Sequence, residues 1–162
     1  MGKISINDFD TIILDLDFTV WHGCRTKFWA KELKEPLTLD YNYIHDINGD
    51  YIKIDSDFRY FIKQCYNKKK QIGYITRGGL LDIPYDLQPP VKCLRMFDVH
   101  DFFNYEKHTL WKTNKKSNYI KSSGKTLYID DNPIDLQDVD SIIDTNITTL
   151  NRDKFKKWAE LL

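Results

Sequence analysis

The chain has 162 residues, 41% of them hydrophobic, with 24 Lys and Arg against 24 Asp and Glu, which fits one domain with a proper core and leaves little room for a second. The balanced charge supplies no overall field to gather nucleic acid, no apolar stretch nears the roughly 20 residues of a membrane helix, and the start lacks a signal-peptide apolar region. Cys24, Cys65 and Cys93 match neither a disulfide framework nor a zinc knuckle and read as free thiols of a reducing compartment, so a soluble cytoplasmic protein is expected.

After a short lead-in, Thr11 to Leu14 is an apolar run that ends in Asp15 and Asp17. It reads as a strand buried on both faces of a parallel sheet, with its acids delivered at the carboxyl edge. Phe18 to Lys34 shows no clear periodicity. Tyr43 to Ile47 and Tyr51 to Ile54 flank Asn48-Gly49 and read as a β-hairpin over about 41–54. Asp55-Ser56-Asp57 offers an N-cap for a helix whose apolar face holds Phe58, Phe61, Ile62, Cys65 and Tyr66. Gln71 to Thr76 is a second core strand, and the prolines at 84, 89 and 90 make a loop before a short helix at Val91 to Met96. A third strand is expected at Asp101 to Tyr105, and a helix capped by Thr113 or Asn114 runs to about Ser122. Thr126 to Ile129 is a fourth strand ending in Asp130-Asp131, and Pro133 suits the first turn of a helix to about Val139. Ser141 to Leu150 holds one more strand, and Asn151 to Leu162 reads as an amphipathic helix burying Phe155, Trp158 and Leu162. Strands alternating with helices predict an α/β fold: a three-layer, Rossmann-like parallel sheet with helices on both faces, a small hairpin flap and no large cap domain.

Two strands ending in paired acids are hard to attribute to stability, since each close carboxylate pair costs on the order of 4 kcal/mol at an effective dielectric near 20. A divalent cation relieves that repulsion. Alternation along an extended strand would also turn Asp15 and Asp17 to one side, where both meet one ligand.

In chain order, Asp15-x-Asp17, Thr76, a lysine among Lys112, Lys115 and Lys116, and Asp130-Asp131 resemble the haloacid dehalogenase superfamily. Asp15-Leu-Asp-Phe-Thr-Val-Trp21, the 48–54 hairpin, Thr76-Arg77, Leu94-Arg-Met-Phe-Asp98 with Phe102-Phe103, and Tyr128-Ile-Asp-Asp131 are most similar to its magnesium-dependent phosphatase branch. The resemblance spans about residues 8 to 150. It implies a Mg²⁺-dependent phosphomonoester hydrolase in which Asp15 is the nucleophile that forms an aspartyl-phosphate and Asp17 the general acid and base. The implied Mg²⁺ ligands are the Asp15 and Asp131 carboxylates and the Asp17 carbonyl, with Asp130 acting through water. Thr76, the lysine and backbone N–H groups of Asp17, Phe18 and Arg77 would hold the phosphoryl oxygens, and Asp135 would steady the lysine or a metal-bound water. Matching Leu110-Trp111 to the family pattern favours Lys115, whereas counting back from the acid pair favours Lys116; Lys115 is preferred. Phe18, Arg77 and Trp21 are candidate substrate contacts, although Trp21 also fits packing under the hairpin and Arg77 also fits pairing with a surface acid.

With only a hairpin to cover it, the site is expected to stay open. The substrate is then a phosphorylated small molecule such as a sugar phosphate, or a phosphoprotein or phosphotyrosine. A polynucleotide 3′-phosphate is the alternative: net charge argues against nucleic acid as partner, but Lys112 to Lys125 offers a local basic patch. A non-catalytic binding protein of the same fold is the remaining alternative. No membrane partner is expected.

Overall fold

The computed structural model describes residues 2–111, 114–121 and 123–162. Five parallel strands form the main sheet: β1 (Thr11–Leu14), β6 (Gln71–Thr76), β7 (Lys107–Thr109), β8 (Thr126–Asp130) and β9 (Ile147–Asn151). Their spatial order is β7-β6-β1-β8-β9, so the first strand of the sheet lies at its centre. Thr11 stands opposite Gln71 and Thr126, and Leu14 opposite Tyr74 and Ile129. That register sets Asp15 beside Asp130, and the Asp15 N–H donates to the Ile129 carbonyl at 2.9 Å.

Strand alternation sorts the core into two faces. Ile12, Leu14, Ile72, Tyr74, Leu127 and Ile129 join one cluster with α1 (Phe58–Asn67), α2 (Pro89–Met96) and Trp158. Ile13, Ile75 and Tyr128 join the other with Leu136 and Val139 of α3 (Pro133–Asp140). Both faces of the sheet are thus buried, as the unbroken apolar strands require. Helix α1 buries Phe58, Phe61, Ile62 and Cys65, whereas Tyr66 stays half-exposed and packs edge-on against Phe102.

The expected hairpin is half of a larger element. β2 (Trp21–Gly23), β3 (Thr38–Asp40), β4 (Tyr43–His45) and β5 (Tyr51–Ile54) form an antiparallel sheet in the order β2-β5-β4-β3. The β4–β5 loop is longer than a two-residue turn. The buried Asp46 carboxylate accepts from the N–H groups of Asn48 at 2.8 Å and Asp50 at 2.9 Å, and Gly49 takes the positive φ of 83° that the bend needs.

Four expectations move. The third strand of the parallel sheet is at Lys107–Thr109 rather than 101–105, because Phe103 is drawn against Tyr74 in the core and the Asn104 side chain accepts from the Ile72 N–H instead. The helix expected from Asn114 is a single 3-10 turn, Lys116–Tyr119, while Thr113 and Ser122 lie outside the described residues. The C-terminal segment forms two 3-10 turns, Arg152–Lys154 and Trp158–Leu161; it buries Phe155, Trp158 and Leu161, leaving Leu162 partly exposed. Asp57 stands at the N-cap of α1, but its carboxylate accepts from the Ala159 N–H at 3.0 Å, and Asp55 accepts from the Trp158 indole at 2.8 Å. The 55–57 run therefore anchors the C-terminal segment. Among the described residues no helix is long and apolar enough to cross a membrane.

Candidate active site

The carboxyl ends of β1, β6 and β8 meet around a cavity of about 120 Å³ whose walls include Asp15, Asp17, Thr76, Lys116, Asp130 and Asp131. Each arrives for a local reason. Asp15 follows the last apolar residue of β1, Thr76 ends β6 and Asp130 ends β8. After Leu16 the chain bends sharply, with Phe18 at a φ of 63° and its N–H donated to the Trp21 carbonyl at 2.7 Å. Asp17, like Asp15, lines the cavity.

Lys116, not Lys115, is the site lysine. Its Nζ lies 2.8 Å from Asp15 Oδ1, 2.9 Å from Asp130 Oδ2 and 3.5 Å from Asp135 Oδ2, and the side chain is only 2% exposed. Lys115 is exposed and lines a shallower neighbouring hollow, and Lys112 lies outside the described residues. Burial alone would lower the Lys116 pKa, but the three carboxylates outweigh it and hold the ammonium above its ordinary range. Ser117 fixes the turn that carries the lysine, donating from its N–H and hydroxyl to Asp138 of α3 at 3.0 and 2.9 Å.

The acids are unequal. Burial pushes Asp15 well above the ordinary carboxylate range, the charges of Asp130 and Asp131 add to this, and Lys116 opposes them. Burial also presses on Asp130, yet Lys116, the Tyr128 hydroxyl and the Asn132 N–H together hold it below the ordinary value. Tyr128, two residues earlier on the same side of β8, keeps its proton far above its usual range through burial. Burial raises Asp17 as well, against its bonds from the Ala30 N–H and the Trp21 indole N–H, each 2.9 Å to Oδ1.

The donor set fits a hard cation. Asp15, Asp130 and Asp131 each present a carboxylate oxygen, all within 4.8 Å of one another, and oxygen-only ligation suits Mg²⁺ or Ca²⁺. Asp130 is already occupied by Lys116, Tyr128 and Asn132, whereas Asp15 Oδ2 and Asp131 Oδ1 share the hydroxyl of buried Thr19 at 3.1 and 3.3 Å. Asp15 and Asp131 thus meet at the Thr19 hydroxyl, away from the oxygen of Asp15 that Lys116 holds.

No protein-family model matches this chain, and no curated protein matches it.

The remaining expected contacts divide. Phe18 borders the cavity, although its N–H is spent on Trp21. Arg77 also borders it, but its guanidinium forms a forked pair with Asp135, a buried acid rather than a surface one, and donates to the Asn114 carbonyl at 2.9 Å. Trp21 takes the packing role and not that of a substrate contact, which is a correction to the latter: it is 1% exposed, pairs with Ile54 of β5, packs against Phe97 and bonds to Asp17. The indole that does wall the cavity is Trp29. Thr19, Trp29, Gly78, Tyr128 and Asn132 were not singled out from the sequence. Strand alternation places Tyr128 beside Asp130 and was available as a signal; the aperiodic 18–34 segment carried none for Trp29.

Proposed function

We infer that this chain is a Mg²⁺-dependent phosphomonoester hydrolase of the haloacid dehalogenase type. The observation that carries the reading is the Asp15 carboxylate at the head of the central strand, with Lys116 on one oxygen and Asp131 across Thr19 from the other. The strand order supports the finer fold expectation, a doubly wound Rossmann-like sheet. In such sheets ligands bind where the winding reverses, here between β1 and β8.

The residues have complementary parts. Asp15 attacks phosphorus; its new O–P bond forms as the bond to the leaving oxygen breaks, and that oxygen takes a proton from Asp17. Water then attacks the aspartyl-phosphate, Asp17 takes its proton, and phosphate leaves Asp15 free. Burial favours the protonated form of Asp17 that the first step uses. Lys116 and the Thr76 hydroxyl face the transferred oxygens, as do the N–H groups of Asp17 and Arg77. The Asp15 and Asp131 carboxylates and the Asp17 carbonyl would hold Mg²⁺, which when bound neutralises charge on the phosphoryl group, while Asp130 keeps Lys116 in place. The three free cysteines accord with a reducing, cytoplasmic setting.

The test is Mg²⁺-dependent phosphate release from an aryl phosphate by the wild type and by Asp15→Asn. The expected result is release that chelation abolishes and that falls by at least about 10³ in the variant, as for removal of a covalent nucleophile. Equal turnover by Asp15→Asn contradicts the reading.

A further inference from the structure

Asp17 marks the side of the cavity from which the leaving group departs, because its proton goes to the leaving oxygen. What borders that side therefore touches the leaving group and not the phosphoryl group. The segment that fixes the Asp17 carboxylate is the one that carries Trp29: the Ala30 N–H donates to Asp17 Oδ1 at 2.9 Å, and Trp29 immediately before it lines the cavity. Its indole is half-buried, with Lys31 Nζ 4.4 Å from the ring centroid. That contact steadies the ring and sets a positive charge at the rim. Gly78 lines the same cavity and lies close to the acid. A Cβ on Gly78 would lie 3.0 Å from Asp17 Oδ2 and 3.0 Å from Pro90 Cγ, so a side chain there would press on the acid. A leaving group beside Asp17 thus meets a wall that holds both a residue without a side chain and an aromatic one.

We propose that Trp29 is a specificity-determining residue whose indole stacks on a planar ring in the leaving group, so that the preferred substrates are phosphomonoesters carrying a ring close to the ester oxygen. The inference rests on the phosphatase reading above. Aromatic stacking prefers an offset face or edge geometry and discriminates flat rings from puckered ones of similar size.

Benzyl phosphate and cyclohexylmethyl phosphate make the comparison direct. Both are esters of primary alcohols and nearly equal in size, and they differ in the flatness of the ring. The quantity to measure is the ratio of their kcat/KM values in wild type, Trp29→Ala and Trp29→Phe, with Mg²⁺ present and thermal melting run alongside. The expected result is a wild-type preference for benzyl phosphate of about tenfold, retained largely in Trp29→Phe and lost in Trp29→Ala. Taking each variant's ratio cancels any general loss of active protein. A ratio in Trp29→Ala equal to that of the wild type, or a wild type with no preference, overturns the assignment of Trp29 while leaving the phosphatase reading intact. A wild type that releases phosphate from neither ester nor from an aryl phosphate overturns that reading, and the inference with it.

Discussion

Replacing Lys116 by Met keeps the aliphatic stem and removes one charge from a site where three carboxylates converge. The ammonium lies 2.8 Å from Asp15 and 2.9 Å from Asp130, with Asp135 at 3.5 Å. At an effective dielectric near 20, a contact of that length is worth about 6 kcal/mol before desolvation is charged against it. Most of this is offset by the cost of burying the lysine, but deletion of one partner leaves the acids buried and uncompensated, which costs about 3–5 kcal/mol. Lys116→Met should lose that much unfolding free energy in urea at pH 7. The exposed Lys115→Met should stay within about 0.5 kcal/mol of wild type. Lowering the pH from 7 to 5 should narrow the Lys116→Met deficit, because Asp15 is already pushed up by burial and takes up the proton that replaces the missing charge. A deficit below about 1 kcal/mol, or one shared equally by Lys115→Met, would refute the assignment of the buried lysine.

Asp138→Ala removes both bonds to Ser117 and should lower kcat more than it raises KM, with a stability loss of about 1–2 kcal/mol in urea; an unchanged kcat would show that the turn holds Lys116 without α3. Burial would raise Asp55, but its bonds from His22, Trp158 and Arg152 outweigh it and hold it below the ordinary value. Its folded pKa is thus depressed, so its stabilisation is present above the unfolded pKa of about 3.9 and is lost as pH falls through the lower folded value. The stability gap between wild type and Asp55→Asn, followed by thermal melting from pH 6 to pH 3, should be widest at pH 6 and close below about pH 4; a gap independent of pH would contradict this.

Acids at strand ends were legible because two signals coincide there, an apolar run for the strand and a charge that no buried strand tolerates inside it. Asp15 and Asp130 were placed on that basis, Thr76 as the hydroxyl that ends a core strand, and the structure brings them to one cavity. The lysine was not resolved to one residue. Lys115 and Lys116 sit in an irregular loop with no period to orient them, and a one-residue shift decides which is buried in the site and which faces solvent. The antiparallel sheet was half-legible for a related reason. Asn48-Gly49 betrays the β4–β5 hairpin, whereas all three residues of β3 are exposed and carry no alternation. At the C-terminus, Phe155, Trp158 and Leu161 recur every three residues, a spacing that fits 3-10 turns as well as one side of an α-helix. Trp158 packs with Phe58, Phe61 and Phe155.

The central claim is that Asp15 carries the phosphoryl group during turnover. Asp17→Asn, quenched in acid during turnover of 4-nitrophenyl phosphate with Mg²⁺, isolates that step, because the nitrophenolate leaves without needing a proton while breakdown of the aspartyl-phosphate lacks its base. Peptide mass spectrometry should then find the phosphoryl group on the peptide containing Asp15, and none in the same experiment with Asp15→Asn. A phosphoryl group on another residue, or phosphate released by the wild type with no labelled Asp15 under these conditions, would contradict the account.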